Sequence, residues 1–326
     1  MPVIELGDVP TLDKVPPTDV IQRARTNLNS AMERARHSAG SSGLPPWGVQ
    51  IANLGYFSLA AILFLPEIFT VKDFVEKLGR AAGWVDNEVS KHDKAFAEWL
   101  GNFLLNEPGV MQRNFTPTSD ALVNIRSLFY LVEENFVDDE TVRIVMALFR
   151  DNYGVDGRFL FIAPIDLEAW RRSLDGESGP FFPWNWQEAQ VRSGRVEKVF
   201  TIVLMREHWG AIYVDLTKRK IFFGDSLNYD VPQDAMTAIW RWLHCVGQDI
   251  SSWDQNIGKF DVPQQPVTSG SCAINAANTI ERTINPAVER WTHPRSSYHR
   301  VRIMMLLTGY SKVSLGVGLG DYCKAG

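Results

Sequence analysis

The sequence predicts an α+β fold, in which a mainly helical N-terminal region precedes a region that mixes strands and helices. Short apolar runs rich in β-branched and aromatic residues cluster between residues 159 and 223, and apolar residues recur at helical spacing in most other segments. With 326 residues, 45% of them hydrophobic and 22% charged, the chain has the composition of a globular protein with at least one substantial core.

The N-terminal 124 residues divide into two predicted parts. Residues 1–46 are predicted to be a flexible Pro-rich leader, an exposed helix and a linker rich in Ser, Gly and Pro. Residues 47–124 are predicted to be a helical region of unknown role, with helices over 51–64, 70–82 and 90–105 and breaks at Pro66, Gly83 and Pro108. The apolar run from Ile51 to Leu65 is shorter than the roughly 20 residues of a membrane-spanning helix, which predicts a core helix and no membrane contact.

Residues 125–326 are predicted to form the domain that contains the strands. Asp138 and Asp139 are expected to start a helix, as its cap and its first-turn anion. The apolar runs Ala211–Val214 and Ile221–Phe223 flank a polar turn, which predicts a β-hairpin. The other expected elements are strands over 159–163 and 199–205 and helices over 235–246, 272–284 and 297–307.

Charge and cysteine content exclude several classes of function. The formal net charge is −5, and acidic residues slightly outnumber basic ones in both the N-terminal region and the rest of the chain, which argues against a nucleic-acid partner. Three cysteines, Cys245, Cys272 and Cys323, are too few for a disulfide framework, and the N-terminus carries no secretory signal. We therefore expect an intracellular protein, in the nucleus or the cytoplasm. Histidine and cysteine show no metal-ligand spacing, so neither a metal nor another cofactor is expected.

A candidate nucleophile stands at the start of a predicted helix. Cys272 follows a polar loop, and the unpaired N–H groups of a helix start favour a thiolate over a thiol. His208 and Asp225 flank the predicted hairpin, whose antiparallel strands return these two positions side by side. A base, an orienting carboxylate and a nucleophile in this chain order, here His208, Asp225 and Cys272, predict a cysteine hydrolase.

Each of these residues also has a simpler structural interpretation. A single cysteine in an apolar helix is usually a small buried hydrophobe, a histidine beside a tryptophan often packs, and an aspartate after glycine is often a turn residue. Cys245 is the alternative nucleophile. It is expected late in a helix, where the helix dipole opposes a thiolate, so it ranks below Cys272.

Taken together, these motifs resemble a known family. His208-Trp209, then Gly224-Asp225-Ser226-Leu227, then Pro263-Gln264-Gln265 ahead of Gly270-Ser271-Cys272 resemble the SUMO-protease family of ubiquitin-like-protein-processing cysteine peptidases, over roughly residues 125–310. The resemblance implies a papain-like cysteine protease fold, with a central mixed sheet flanked by helices. It also implies hydrolysis of the peptide or isopeptide bond after a C-terminal Gly-Gly of a ubiquitin-like modifier, so the partner would be that modifier or its conjugates.

The resemblance assigns catalytic roles to individual residues. Cys272 corresponds to the nucleophile, His208 to the general base and Asp225 to the residue that orients the base. Gln265 corresponds to the side-chain donor of the oxyanion hole. Gln264 is the close alternative, because the loop up to Cys272 is one residue longer than the family usually has.

Three further residues correspond to the substrate-binding side. Trp209 resembles the aromatic lid over a narrow tunnel that accepts glycine, and Phe136 stands where the family has a tunnel-lining tryptophan. Asp139 takes the place of the residue that contacts the modifier. Ala273 replaces the usual glycine after the nucleophile, which a helix tolerates well.

Two alternative functions stay open at this point. A protease or an acyltransferase of the same clan could use the same triad on another polypeptide. The chain could also be a modifier-binding module whose catalytic site has decayed, since Phe136 and the long loop depart from the family pattern.

Overall fold

The computed structural model describes residues 18–38, 48–51, 55–106, 114–118, 121–174 and 185–310. The predicted leader up to residue 17, nearly all of the predicted linker and Cys323 lie outside the described residues. The chain forms two compact units, Met1–Gly79 and Arg80–Gly326. The domain boundaries predicted at residues 46 and 124 stay predictions.

The first unit contains a hairpin in part of the segment where the sequence predicts a helix over 51–64. That prediction is wrong in its first half, because a short apolar run fits a strand as well as a helix, and Val49, Tyr56 and Phe57 favour strands. The elements are α1 (Thr18–Ser38), the antiparallel strands β1 (Gly48–Ile51) and β2 (Gly55–Ser58), and α2 (Leu59–Trp84), within which the division between the units falls.

Helix α2 runs through Pro66, where the sequence predicts a break. Proline has no N–H to donate to the carbonyl of Ile62, so the helix lacks one backbone hydrogen bond at this turn. None of the helices in the described ranges is long and apolar enough to cross a membrane.

The first part of the second unit contains one longer helix, α4, and several short elements. Helix α4 (Lys94–Asn106) buries Phe96, Leu100 and Leu104, which recur at the four-residue spacing of one helix face. The neighbouring elements are a π-helical turn (Val85–Val89), α3 (Ser90–His92), the antiparallel strands β3 (Asn114–Thr118) and β4 (Ala121–Asn124), and α5 (Ile125–Phe129).

A five-stranded mixed sheet forms the centre of the second unit, as the sequence resemblance implies. Its strand order is the chain order, with parallel pairs at the two edges and antiparallel pairs in the middle. The strands are β5 (Phe159–Phe161), β6 (Lys198–Met205), β7 (His208–Asp215), β8 (Lys220–Gly224) and β9 (Asp254–Lys259).

Helices cover both faces of this sheet. On one face, Val199 and Val203 of β6 belong to a hydrophobic cluster with three helices, whereas Ile202 points to the other face and lines a small apolar cavity with Ala273 and Ile274. This alternation follows from the two-residue period of a strand. The helices of the unit are α6 (Asp139–Tyr153), α7 (Pro164–Leu174), α8 (Asn185–Arg192), α9 (Gln233–Cys245), α10 (Cys272–Ile284) and α11 (Ser296–Thr308).

Most elements predicted after residue 125 are confirmed. Asp138 caps α6, because its Oδ1 accepts a hydrogen bond of 3.0 Å from the backbone N–H of Thr141. The predicted hairpin is β7–β8, and the helix predicted over 272–284 is α10. The sequence patterns did not predict α5, α7, α8 or β9. Strand β9 (DQNIGK) is largely polar, so it carries no apolar alternation to reveal it.

The hairpins place two of the candidate site residues at one end of the sheet. A tight turn through Arg206 joins β6 to β7, so His208 is the first residue of β7 and pairs with Met205. Asp225 follows the last residue of β8, whose Gly224 pairs with Ala211. The two residues therefore lie at the same end of adjacent antiparallel strands.

Candidate active site

The structure brings Cys272, His208 and Asp225 together, and all three side chains are buried. His208 Nε2 forms a short hydrogen bond with Asp225 Oδ1. The side chain of Cys272 also lies close enough to the imidazole to raise the pKa of His208. Because Nε2 is engaged by the carboxylate, Nδ1 is the ring nitrogen that is left to face the sulfur. The imidazole thus lies between the carboxylate and the thiol.

Backbone groups fix the carboxylate of Asp225. Its Oδ2 accepts hydrogen bonds from the backbone N–H groups of Leu227, at 3.1 Å, and of Tyr229. The ring of Tyr229 meets the ring of His208 edge to face, with 5.1 Å between the centroids. The carboxylate therefore keeps one oxygen for the imidazole, and an aromatic ring restricts the imidazole on another side.

These neighbours change the protonation of His208. Burial lowers the pKa of His208, but the hydrogen bonds with Asp225 and Cys272 and the attraction of both anions raise it to about 9. At neutral pH the imidazole is therefore protonated and can pair with a thiolate. Cys272 is the first residue of α10, and the unpaired N–H groups of a helix start generally favour a thiolate.

The two glutamines of the loop before Cys272 point to different neighbours. Gln265 is buried, and its Nε2 donates a hydrogen bond of 2.9 Å to the carbonyl of Ser269, within the segment that leads to Cys272. Its Oε1 is buried without a partner. Gln264 instead donates from Nε2 to the carbonyl of Asp225, at 3.2 Å, and accepts from Asn228. Of the two amides, that of Gln265 contacts the segment leading to Cys272.

The residues predicted for the substrate side form an aromatic pair next to His208. Trp209 is buried, and its Nε1 donates to the carbonyl of Val137 at 2.9 Å. Phe136 is 40% exposed and stacks against Trp209, with 6.3 Å between the centroids. Asp139 is exposed at the first residue of α6, three positions along the chain from Phe136.

The sequence patterns did not predict a role for two charged residues near Cys272. Both Glu134 and Arg300 bind the hydroxyl of Ser271, in the loop before Cys272, and Glu134 also binds the hydroxyl of Ser269. The burial of Arg300 distinguishes this pair from ordinary surface charges, and burial can be observed only in the folded chain. Position 300 carries no motif, and an arginine is ordinarily exposed.

Neither Cys245 nor a cluster of metal-ligating side chains adds to the candidate site in the described residues. Cys245 is the last residue of α9, which confirms its predicted position late in a helix. Its side chain is partly exposed. In the described part of the chain, no group of three His, Cys, Asp or Glu side chains is arranged to hold a metal ion.

Comparison with known proteins identifies the fold. No protein-family model matches the chain, and neither does any curated protein sequence. A solved structure of the SUMO protease Ulp1, with its catalytic cysteine oxidised to a sulfenic acid, matches with a TM-score of 0.50 and 17% identity, over 61% of this chain and 89% of that chain. The fold is that of Ulp1.

Two further solved structures are similar to the chain. The Ulp1-like SUMO protease catalytic domain of Chaetomium thermophilum is 14% identical, with a TM-score of 0.48 over 65% of this chain and 88% of that one. The C-terminal Ulp1 protease domain in complex with Smt3, the yeast orthologue of SUMO, is 16% identical, with a TM-score of 0.46 over 61% and 88%. The match to the Ulp1 structure, with its TM-score of 0.50, confirms the predicted papain-like fold.

Proposed function

We propose that the protein is a cysteine peptidase that cleaves after the C-terminal Gly-Gly of a ubiquitin-like modifier. The observation that carries this proposal is the placement of His208 between Asp225 and Cys272, with Cys272 at the first residue of α10. The Ulp1 fold supports it, because the matched Ulp1 structure is that of a SUMO protease with a catalytic cysteine.

In the proposed mechanism, Cys272 attacks as a thiolate paired with protonated His208. The thiolate forms a bond to the glycyl carbonyl carbon, and the carbonyl oxygen becomes an oxyanion. His208 then donates its proton to the leaving amine as the carbon–nitrogen bond breaks, which leaves a thioester. The neutral imidazole next takes a proton from water, whose oxygen attacks the thioester and releases the modifier carboxylate and the Cys272 thiolate. Asp225 keeps Nε2 engaged, so that Nδ1 serves the sulfur.

The oxyanion would be held by Gln265. The amide nitrogen of Gln265 has two hydrogens and uses one for the carbonyl of Ser269, so the second is available for the oxyanion. The backbone N–H of Cys272 is the second proposed donor. One such donor contributes about 2.7–4 kcal/mol to the stabilisation of a transition state. Gln264 does not fit this role as well, because its amide faces Asp225 and Asn228.

The aromatic pair supports glycine selectivity. Phe136 stacked on Trp209 makes a flat apolar wall next to His208, which suits a chain without side chains at the scissile bond. Asp139, exposed at the start of α6, would contact the surface of the modifier. We assign this catalysis to residues 125–326, and the expected partner is a ubiquitin-like modifier or its isopeptide conjugates, in the nucleus or the cytoplasm.

Modifier probes that carry a C-terminal electrophile test the proposal. Purified full-length protein is incubated with a panel of such probes, SUMO and ubiquitin among them, and covalent adducts are measured by mass. We expect an adduct on wild type and on Cys245→Ala, the matched control with the other described cysteine removed, and none on Cys272→Ala. Labelling that persists in Cys272→Ala, or a chain that binds modifiers but labels with none, would contradict the proposal.

A further inference from the structure

A buried arginine lies directly behind the loop that carries the nucleophile. Arg300 on α11 has 0% of its surface exposed. Its Nε and Nη2 donate to Ser271 Oγ, at 3.2 and 2.9 Å, and Ser271 is the residue before Cys272. Nη1 donates to the carbonyl of Tyr130 at 3.1 Å, and Nη2 also donates to the carbonyl of Asn135 at 2.9 Å. A fully buried guanidinium is costly unless it is paired, so this position has a specific set of partners.

Glu134 binds the same loop and lies close to Arg300. Its Oε2 accepts from the hydroxyls of Ser269, at 2.5 Å, and Ser271, at 2.7 Å, and its Oε1 lies 3.8 Å from Arg300 Nε. The backbone carbonyl of Glu134 accepts the N–H of Gly270 at 3.1 Å. One residue thus binds all three positions that precede the nucleophile.

The charges of both groups persist at neutral pH. Burial lowers the pKa of Arg300 to about 10, and the attraction of Glu134 and of Cys272 opposes that decrease. Burial raises the pKa of Glu134, but hydrogen bonds from serines and the charge of Arg300 outweigh it, so the pKa is lowered overall.

We propose that Glu134 and Arg300 are positioning residues for Cys272: the carboxylate clamps the loop before the nucleophile, and the guanidinium adds a fixed positive charge at the start of α10. Their effect on turnover rests on the proposed peptidase function, whereas their effect on the thiol does not. The ionisable groups around Cys272 are His208 on β7 and Arg300 on α11, with Asp225 behind the imidazole and Glu134 behind the serines.

The structure offers a matched control on the same two helices. Arg302 of α11 forms a bidentate ion pair with buried Glu281 of α10, nine positions along the chain from Cys272. Arg302→Gln removes a charge from a buried ion pair two residues from Arg300, so it reproduces a general loss of packing without touching the loop before the nucleophile.

The test measures alkylation of Cys272 by iodoacetamide across pH, by peptide mass spectrometry on full-length protein. We expect Arg300→Gln to shift the alkylation midpoint to higher pH and to slow the reaction at neutral pH, because the variant loses the positive charge that is bound to Ser271, the residue before Cys272. Arg300→Lys, which keeps the charge, should restore most of the rate. A profile of Arg300→Gln that coincides with that of Arg302→Gln would overturn the electrostatic role.

A second, milder variant covers the case in which Arg300→Gln fails to fold. Ser271→Ala removes the hydroxyl shared by Arg300 and Glu134 but keeps both charges. We expect it to leave the alkylation midpoint near that of wild type and to lower kcat severalfold on a modifier substrate, with little change in KM. Unchanged kcat would overturn the clamp. If the alkylation profiles are as expected but no modifier probe labels the protein, the result would count against the proposed peptidase function. It would not count against this inference.

Discussion

The Asp225→Asn substitution tests how the site keeps His208 protonated. The pKa of about 9, set against the ordinary 6.5, corresponds to about 3 kcal/mol in favour of the imidazolium, at about 1.4 kcal/mol per pKa unit. Asparagine keeps the shape of the carboxylate but removes its charge. Because an opposite charge at hydrogen-bond distance shifts a titration by about 1–3 pH units, we expect the pKa of His208 to fall by that amount.

NMR of protein with labelled histidine rings measures this directly. The six histidines are titrated across the neutral and alkaline range, and the signal that disappears in His208→Gln assigns residue 208. Asp261→Asn is the matched control, since Asp261 is exposed and pairs with Arg290 rather than with the site. A pKa of His208 near its ordinary value in wild type would refute the reasoning. The same pKa of His208 in Asp225→Asn as in wild type would also refute it.

The same pKa has a consequence for stability. The pKa of His208 in the folded state lies above its value in the unfolded chain, so protonated His208 stabilises the fold fully below about pH 6.5. This contribution, about 3 kcal/mol at most, is lost as the pH rises through about 9. Urea unfolding of wild type and His208→Gln at both ends of this range should show the difference in free energy of unfolding shrinking toward high pH.

Three other substitutions have expected outcomes. Gly270→Ala places a Cβ 2.2 Å from the carbonyl oxygen of Glu134, so the loop must shift. We expect a lower kcat and a free energy of unfolding reduced by about 1–3 kcal/mol. Wild-type values of both would contradict the tight contact. Asp138→Ala removes the cap of α6 and should cost about 1 kcal/mol in urea unfolding. Trp209→Phe leaves the carbonyl of Val137 without its donor and should lower the unfolding free energy by about 1–3 kcal/mol; an unchanged value would show that this hydrogen bond contributes nothing.

Local patterns were enough to predict the elements that carry the proposed catalytic groups. The start of α10 at Cys272, the cap at Asp138 and the hairpin between His208 and Asp225 each depend on a few neighbouring residues, so their signals are present in the sequence. The helix predicted over 51–64 was wrong in part because a short apolar run has no period that separates strand from helix.

The contacts between distant segments could not be predicted in the same way. Glu134 and Arg300 are 166 positions apart, and they meet behind Ser271 only because α11 and the segment before α6 pack around the start of α10. Which glutamine contacts the segment before Cys272 also depends on the path of the loop through space. The sequence by itself determined which groups can react and on which local elements they lie. The tertiary structure decided which groups surround the sulfur, because burial and charge pairing arise only when those elements pack together.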